Sequence, residues 1–196
     1  MTGIFESHAH YEDEAFDEDR DVLLKSLPEN GIKYVVDVGS SIDTCHKIIE
    51  LIPKWDYMYG ALGIHPEEIR TVTDEDMEWL RKEAAANGKI VAIGEIGLDY
   101  YWDKDNKAQQ KEFFERQLVL AKELKKPVIV HSREAALDTY EVIKASADRD
   151  NSGVIHCFSY SKEEAKKYLD MGFYIGIGGV LTFKKAAKIR EVAEYV

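Results

Sequence analysis

Ile90-Val91-Ala92-Ile93-Gly94-Glu95 is a short apolar run that stops on a carboxylate. The runs Pro127-Val128-Ile129-Val130-His131 and Gly153-Val154-Ile155-His156 have the same form, with histidine at the stop. Such runs alternate with longer charged, amphipathic stretches, which is the sequence form of repeated βα units. Strands are expected near 3–8, 33–38, 57–63, 90–95, 127–131, 153–157 and 173–177. Helices are expected near 14–30, 42–53, 74–87, 107–125, 134–147, 161–171 and 184–195. Thr73 with Asp76, and Ser161 with Glu164, have the spacing of helix N-terminal capping pairs.

Seven βα units predict an α/β fold of the TIM-like (β/α) barrel type, one strand short of the usual eight and of the roughly 250 residues such barrels take. The last helical pattern reaches Val196 without a Gly cap, a Pro or a polar tail. The expectation is therefore that the eighth strand and the C-terminal helices are missing from residues 1–196, leaving unpaired edges on the first and seventh strands. No linker or low-complexity segment divides the sequence, so 1–196 reads as a single barrel domain truncated at its C-terminus.

A hydrophobic share of 45% suits a globular core, and a formal charge of −11 argues against a broad grip on phosphate backbones. Any contact with nucleic acid has to be local. Cys45 and Cys157 form no CxxC pair, the N-terminus lacks signal-peptide character, and no apolar run approaches 18 residues. These features predict a cytoplasmic protein with no membrane segment.

The positions of the histidines carry the chemistry. His8, His10, His65, His131 and His156 stand at or just past the C-terminal ends of expected strands, as does Glu95. In parallel barrels the active site is built at that end, because loops from different strands converge there. His8 and His10 are two apart, so in an extended segment both imidazoles point to one face and can reach one ion. Histidines with a carboxylate suit Zn²⁺ or another first-row divalent ion better than Ca²⁺. Glu95 has two oxygens, enough for one carboxylate to contact two ions. A lone histidine at a strand end is more often structural than a ligand, by roughly three to one. His65 keeps that reading and is expected behind the metal ligands or on the substrate side rather than on metal, and His46 is expected on a helix surface. His8, His10, Glu95, His131 and His156 together, from four strand ends, have no such bland explanation.

Six segments carry a resemblance: Ser7-His8-Ala9-His10, Gly63-Ile64-His65-Pro66, Gly94-Glu95-Ile96-Gly97-Leu98-Asp99-Tyr100, His131-Ser132-Arg133, His156-Cys157-Phe158-Ser159 and Gly178-Gly179-Val180-Leu181-Thr182-Phe183-Lys184. In these segments, along nearly the whole chain, the sequence resembles the TatD family of metal-dependent deoxyribonucleases, in the amidohydrolase-like barrel superfamily. The resemblance implies two divalent ions (Zn, or Mg/Mn), one held by His8, His10 and Glu95, the other by Glu95, His131 and His156. It also implies a DNA substrate met at the barrel mouth. The family's Glu-Thr-Asp-x-Pro segment at an eighth strand is absent from these residues. A chain without it would lack one ligand of the first ion and the group that positions the attacking water. Glu6 replaces the usual Asp before the histidine pair, Glu134-Ala135-Ala136 replaces Asp-Ala-His, and Tyr160 replaces a frequent Gly, where it either stacks on a base or fills the loop.

The expected reaction is attack of metal-activated water on a phosphodiester, with Glu95 as the catalytic carboxylate. Arg133 is expected to fork onto a phosphate, Lys184 to add a second cation or stand in solvent, and Asp99 and Tyr100 to shape the substrate mouth, with a turn cap as the other reading of Asp99. Three other readings stay open. An amidohydrolase cleaving a C–N or ester bond would use the same ions, a phosphomonoesterase is chemically close, and a non-catalytic barrel scaffold would bind no metal.

Overall fold

The computed structural model describes residues 3–146 and 152–196. Seven strands run in sequence order through one parallel sheet: β1 (Ile4–Ala9), β2 (Ile32–Val38), β3 (Met58–Leu62), β4 (Ile90–Asp99), β5 (Val128–Arg133), β6 (Gly153–Ile155) and β7 (Tyr174–Ile175). Among the described residues, seven α-helices connect or follow them: α1 (Arg20–Ser26), α2 (Ile42–Leu51), α3 (Asp74–Ala86), α4 (Lys107–Leu124), α5 (Ala136–Ser146), α6 (Lys162–Asp170) and α7 (Ala187–Tyr195). Each strand pairs only with its sequence neighbours, and among the described residues β1 does not pair with β7. The sheet is thus a curled, open barrel of seven βα units, as expected.

Side chains alternate across the strands, and the core follows that alternation. Val35 faces the helix layer and joins the large cluster that includes Leu24, Ile48, Leu62, Ile93, Phe114, Val130 and Tyr168. Val36 and Val38 face the inside of the curl with Ala61, Ala92 and Ile129. That inner layer is incomplete: an apolar cavity of about 530 Å³ lies between Phe5 and Ser7 of β1, the inner residues Val36, Ala92 and Ile129, and Tyr174 and Ile175 of β7. Phe5 and Tyr174, on the two edge strands, are exposed.

The expected caps form. Thr73 accepts from the Asp76 N–H while the Asp76 carboxylate accepts from the Thr73 N–H, and Ser161 and Glu164 do the same at α6. Each such cap is worth about 1 kcal/mol. The helix expected over 14–30 is divided into a 3-10 turn, Glu14–Phe16, and α1. Asp13 caps the turn, and the Arg20 side chain reaches back to the carbonyls of Tyr11 and Asp13, so local polar contacts win over one continuous helix. The helix expected over 184–195 starts later, at Ala187, and a separate 3-10 turn at Gly179–Thr182 precedes it. The fifth expected helix extends to residue 147, which lies outside the described residues. Strand β4 is longer than expected, running past Glu95 to Asp99. Its register against β5 shifts between Ile93 and Ile96, and pairing resumes from Ile96 with Val130 to Asp99 with Arg133. Gly97 makes this continuation possible: its φ is +144°, and a Cβ there would lie 2.0 Å from the His131 carbonyl oxygen. Among the described residues no helix is long and apolar enough to cross a membrane.

Candidate metal centre

The C-terminal ends of the strands converge on Glu95, which is 5% exposed. Its backbone N–H donates to the Gly39 carbonyl at 2.8 Å, tying β4 to the loop after β2. On one side, Glu95 Oε2 lies 3.4 Å from His8 Nε2 and 3.8 Å from His10 Nε2, and the two ring nitrogens are 2.9 Å apart. On the other, Glu95 Oε1 lies 2.9 Å from His131 Nδ1, 4.0 Å from His156 Nε2 and 4.0 Å from His65 Nε2. The His156 ring stacks on His8 with centroids 3.4 Å apart, and His65 meets His131 edge-on at 4.3 Å. All five expected ligands are therefore brought to one place. His65, which the sequence reading kept off the metal, approaches Glu95 as closely as His156 does.

Supporting groups fix these side chains. The second nitrogen of His131, Nε2, is 3.0 Å from Asp99 Oδ2, so His131 lies between two carboxylates. His10 Nδ1 is 3.4 Å from Glu12 Oε1. Glu6 acts through the backbone, accepting the His8 N–H at 3.1 Å. Two glutamines seven residues apart on α4 hold two of the loops. Gln117 accepts from the Ile64 N–H (2.8 Å) and donates to the Ile64 carbonyl (3.0 Å), beside His65. Gln110 does the same for Asp99, at 2.9 and 3.0 Å. Both side chains are buried, so removing either amide would leave backbone groups unpaired at about 1–3 kcal/mol each.

Burial opposes ionisation of Glu95, but bonds from His131 and His8 outweigh it and hold its carboxyl well below the usual range. Burial likewise favours neutral His131, yet Asp99 and Glu95 raise its pKa to about 9. Burial first, then neighbouring histidines, lower His65 to about 4 and His156 to about 3, so both are neutral and free to donate a lone pair. Asp37, wholly buried at the end of β2, is pushed up to about 7 by burial and by Glu12, against the Tyr11 N–H bond at 2.7 Å.

The donor set fits divalent ions. Ligand atoms on a tetrahedral Zn²⁺ with bonds near 2.0–2.1 Å are about 3.3 Å apart. The spacings of 2.9, 3.4 and 3.8 Å among His8 Nε2, His10 Nε2 and Glu95 Oε2 bracket that value. The groups His8–His10–Glu95, His65–Glu95–His131 and His65–Glu67–Asp99 each bring one ligand atom per residue within 4.8 Å of the others. Buried atoms of the surrounding layer, His8 Nδ1, Glu12 Oε2 and Asp37 Oδ2, have no hydrogen-bond partner among the described residues. Carboxylates concentrated here, with no lysine or arginine ion pair among the described residues, make a region where added positive charge is favoured.

The remaining expected site residues are placed as follows. Arg133 is exposed at the end of β5, beside the rings of Tyr101 and Trp102. Asp99 both orients His131 and caps the following turn. Tyr100 is turned inward, its hydroxyl donating to Asp138 at 2.7 Å, and the aromatics facing solvent are Tyr101 and Trp102. Lys184 is exposed ahead of α7 and makes no ion pair among the described residues. Tyr160 fills its loop: its hydroxyl meets Ser132 Oγ at 2.9 Å and accepts the Ala135 N–H. Sequence reasoning missed Asp37, Glu12, Gln110 and Gln117. The one readable signal was Asp37, a carboxylate inside Val35-Val36-Asp37-Val38.

A curled parallel α/β sheet carrying a histidine and carboxylate cluster at its strand ends defines the class of metal-dependent hydrolases. Within that class the chain belongs to the TatD family: the model described as TatD related DNase matches residues 5–196. The metal-dependent hydrolase YabD of Bacillus subtilis (strain 168) is 39% identical over 193 residues, 98% of this chain and 75% of that protein. A Cronobacter sakazakii relative named 3'-5' ssDNA/RNA exonuclease TatD is 32% identical over 164 residues, 84% of this chain and 62% of that protein. The crystal structure of the TatD homologue YJJV from Escherichia coli K12 superposes with a TM-score of 0.91 at 28% identity, over 98% of this chain and 74% of that one.

Proposed function

We propose that the cluster hydrolyses phosphodiester bonds of DNA with two divalent ions (Zn, or Mg or Mn), one on each side of Glu95. The observation that carries this reading is the division of labour at Glu95, whose two oxygens face two different sets of imidazoles. His8, His10 and Glu95 Oε2 would hold one ion, and Glu95 Oε1, His131 and His156 the other. When bound, the pair would lower the pKa of water and neutralise charge on the phosphoryl oxygens.

The chain's own groups do the rest. Glu95, ionised despite its burial, would offset the repulsion between two close cations. Asp99 fixes the ring orientation of His131 and raises its basicity. Arg133 offers a planar guanidinium at the mouth, suited to two parallel bonds to a phosphate. Two properties of relatives support a nucleic-acid substrate: the family's description as DNases and the exonuclease name of the Cronobacter relative. The amidohydrolase reading is less favoured, because a carboxylate rather than a lysine stands between the two histidine groups. A cytoplasmic setting suits two cysteines that are not joined.

The test is a comparison of substrates. With Zn²⁺, Mg²⁺ or Mn²⁺ added, oligodeoxynucleotides and bis(p-nitrophenyl) phosphate should be cut, and p-nitrophenyl phosphate and cyclic amides should not. Cleavage of the amides without the diesters would sink the proposal.

A further inference from the structure

The loop after β4 has features that hydrolysis alone leaves unused. Asp99 employs both carboxylate oxygens: Oδ2 holds His131, while Oδ1 accepts the backbone N–H groups of Tyr101 (2.8 Å) and Trp102 (2.9 Å). Gln110 closes the turn from the other side by donating to the carbonyls of Asp99 and Asp103. The two aromatic side chains held this way remain in solvent, Tyr101 43% and Trp102 63% exposed. Arg133 lies over them, its guanidinium carbon 4.0 Å from the Tyr101 ring centre and 5.5 Å from that of Trp102. Its carbonyl accepts the Tyr100 N–H at 2.9 Å, and among the described residues no carboxylate pairs with its side chain. Two exposed rings and an unpaired cation are thus fastened, through one aspartate, to a histidine of the metal centre.

We infer that Tyr101, Trp102 and Arg133 form a nucleotide subsite beside the reacting bond, in which Trp102 stacks on an unpaired base and Arg133 takes the adjoining phosphate. This rests on the phosphodiesterase reading and adds which part of the substrate is gripped. A ring face reads the flat surface of any base, so the subsite tolerates sequence; a base paired within a duplex is already stacked on both faces and has none to offer. The charge of the chain favours such a grip. With a net charge of −11, a diffuse electrostatic hold on phosphates is weak, and stacking with one local cation does not depend on it.

The test measures binding of two cleavage-resistant probes of equal length, a phosphorothioate oligothymidylate and its abasic counterpart, to the metal-loaded protein. Trp102→Ala should weaken the base-bearing probe about tenfold, the change given by loss of one stack of about 1.4 kcal/mol, and shift the abasic probe by less than about twofold. Trp102→Phe should retain most of the preference, and Arg133→Gln should weaken both probes alike. Equal loss of both probes in Trp102→Ala, or no change in either, overturns the subsite while wild-type binding and cleavage of ordinary oligothymidylate stand. If the wild-type protein neither binds nor cuts oligothymidylate, the phosphodiesterase reading and the subsite both fail.

Discussion

Glu95 presents its two oxygens to unlike surroundings. Oε2 faces His8 and His10, which lie two residues apart at the end of β1, so the strand itself sets their spacing. Oε1 faces His131, His156 and His65, delivered by β5 and by the loops after β6 and β3. The first half is one short segment meeting one carboxylate. The second exists only when three strand ends are in register, and it leans on Asp99 and on Gln117 for its geometry. The lesson is that one carboxylate joins a locally encoded half-site to a half-site assembled by the fold, and the two should fail differently.

The largest effect should come from removing the junction. Glu95→Ala should lower diester hydrolysis by about 10³-fold, the scale of losing one charge-stabilising group, and should weaken both ions in isothermal titration. Two-site binding unchanged in this variant would mean that the halves are independent. Next, Asp99→Asn should separate them. Supporting partners of metal-ligating histidines are worth about 10–100-fold in metal affinity, and here the loss should fall on the Oε1 side, leaving the His8–His10 side nearly unaffected. Equal weakening of both ions would contradict the division.

The Oε1 half should also respond to pH in two opposite directions. In chelator-treated protein the folded pKa of His131 is raised from 6.5 to about 9, so its contribution to stability is full below pH 6.5 and is lost as pH rises to about 9. His65 is lowered to about 4, so its contribution is full above pH 6.5 and is lost as pH falls toward 4. The Tm of the metal-free chain should therefore peak near pH 6.5. Binding on the Oε1 side near neutrality should release a proton from His131, visible as a titration heat that depends on the ionisation enthalpy of the buffer. A buffer-independent heat would show that His131 is already neutral. The smallest effect is expected for His65→Ala, a loss in hydrolysis of within about tenfold, against a larger loss for His156→Ala. The reverse order would exchange their roles, which the equal 4.0 Å approaches to Glu95 make a sharp question.

The same contrast explains what could be read in advance. His8-Ala9-His10 is legible because a strand repeats every two residues, and Glu95, His131 and His156 because each ends an apolar run. The βα order and the lack of pairing between β1 and β7 among the described residues followed from counting such runs. The supporting layer was not legible. Gln110 and Gln117 look like ordinary helix residues, and only the packing of α4 against β4 and the loop after β3 turns their amides onto backbone groups. Asp99 lay beyond the expected strand, which stopped at Glu95, whereas Gly97 lets β4 run on beneath the His131 carbonyl. Tyr100 and Tyr101 are adjacent with the same side chain, and the turn held by Asp99 decides which faces solvent.

The central claim is that Glu95 bridges two ions, and the most direct measurement is anomalous diffraction from crystals soaked in Mn²⁺ or Zn²⁺. Two peaks about 3.5–4 Å apart are predicted, one against His8 and His10, the other against His131, with Glu95 between them. A single peak, or a second peak lying among His65, Glu67 and Asp99 without contact to Glu95, would contradict it.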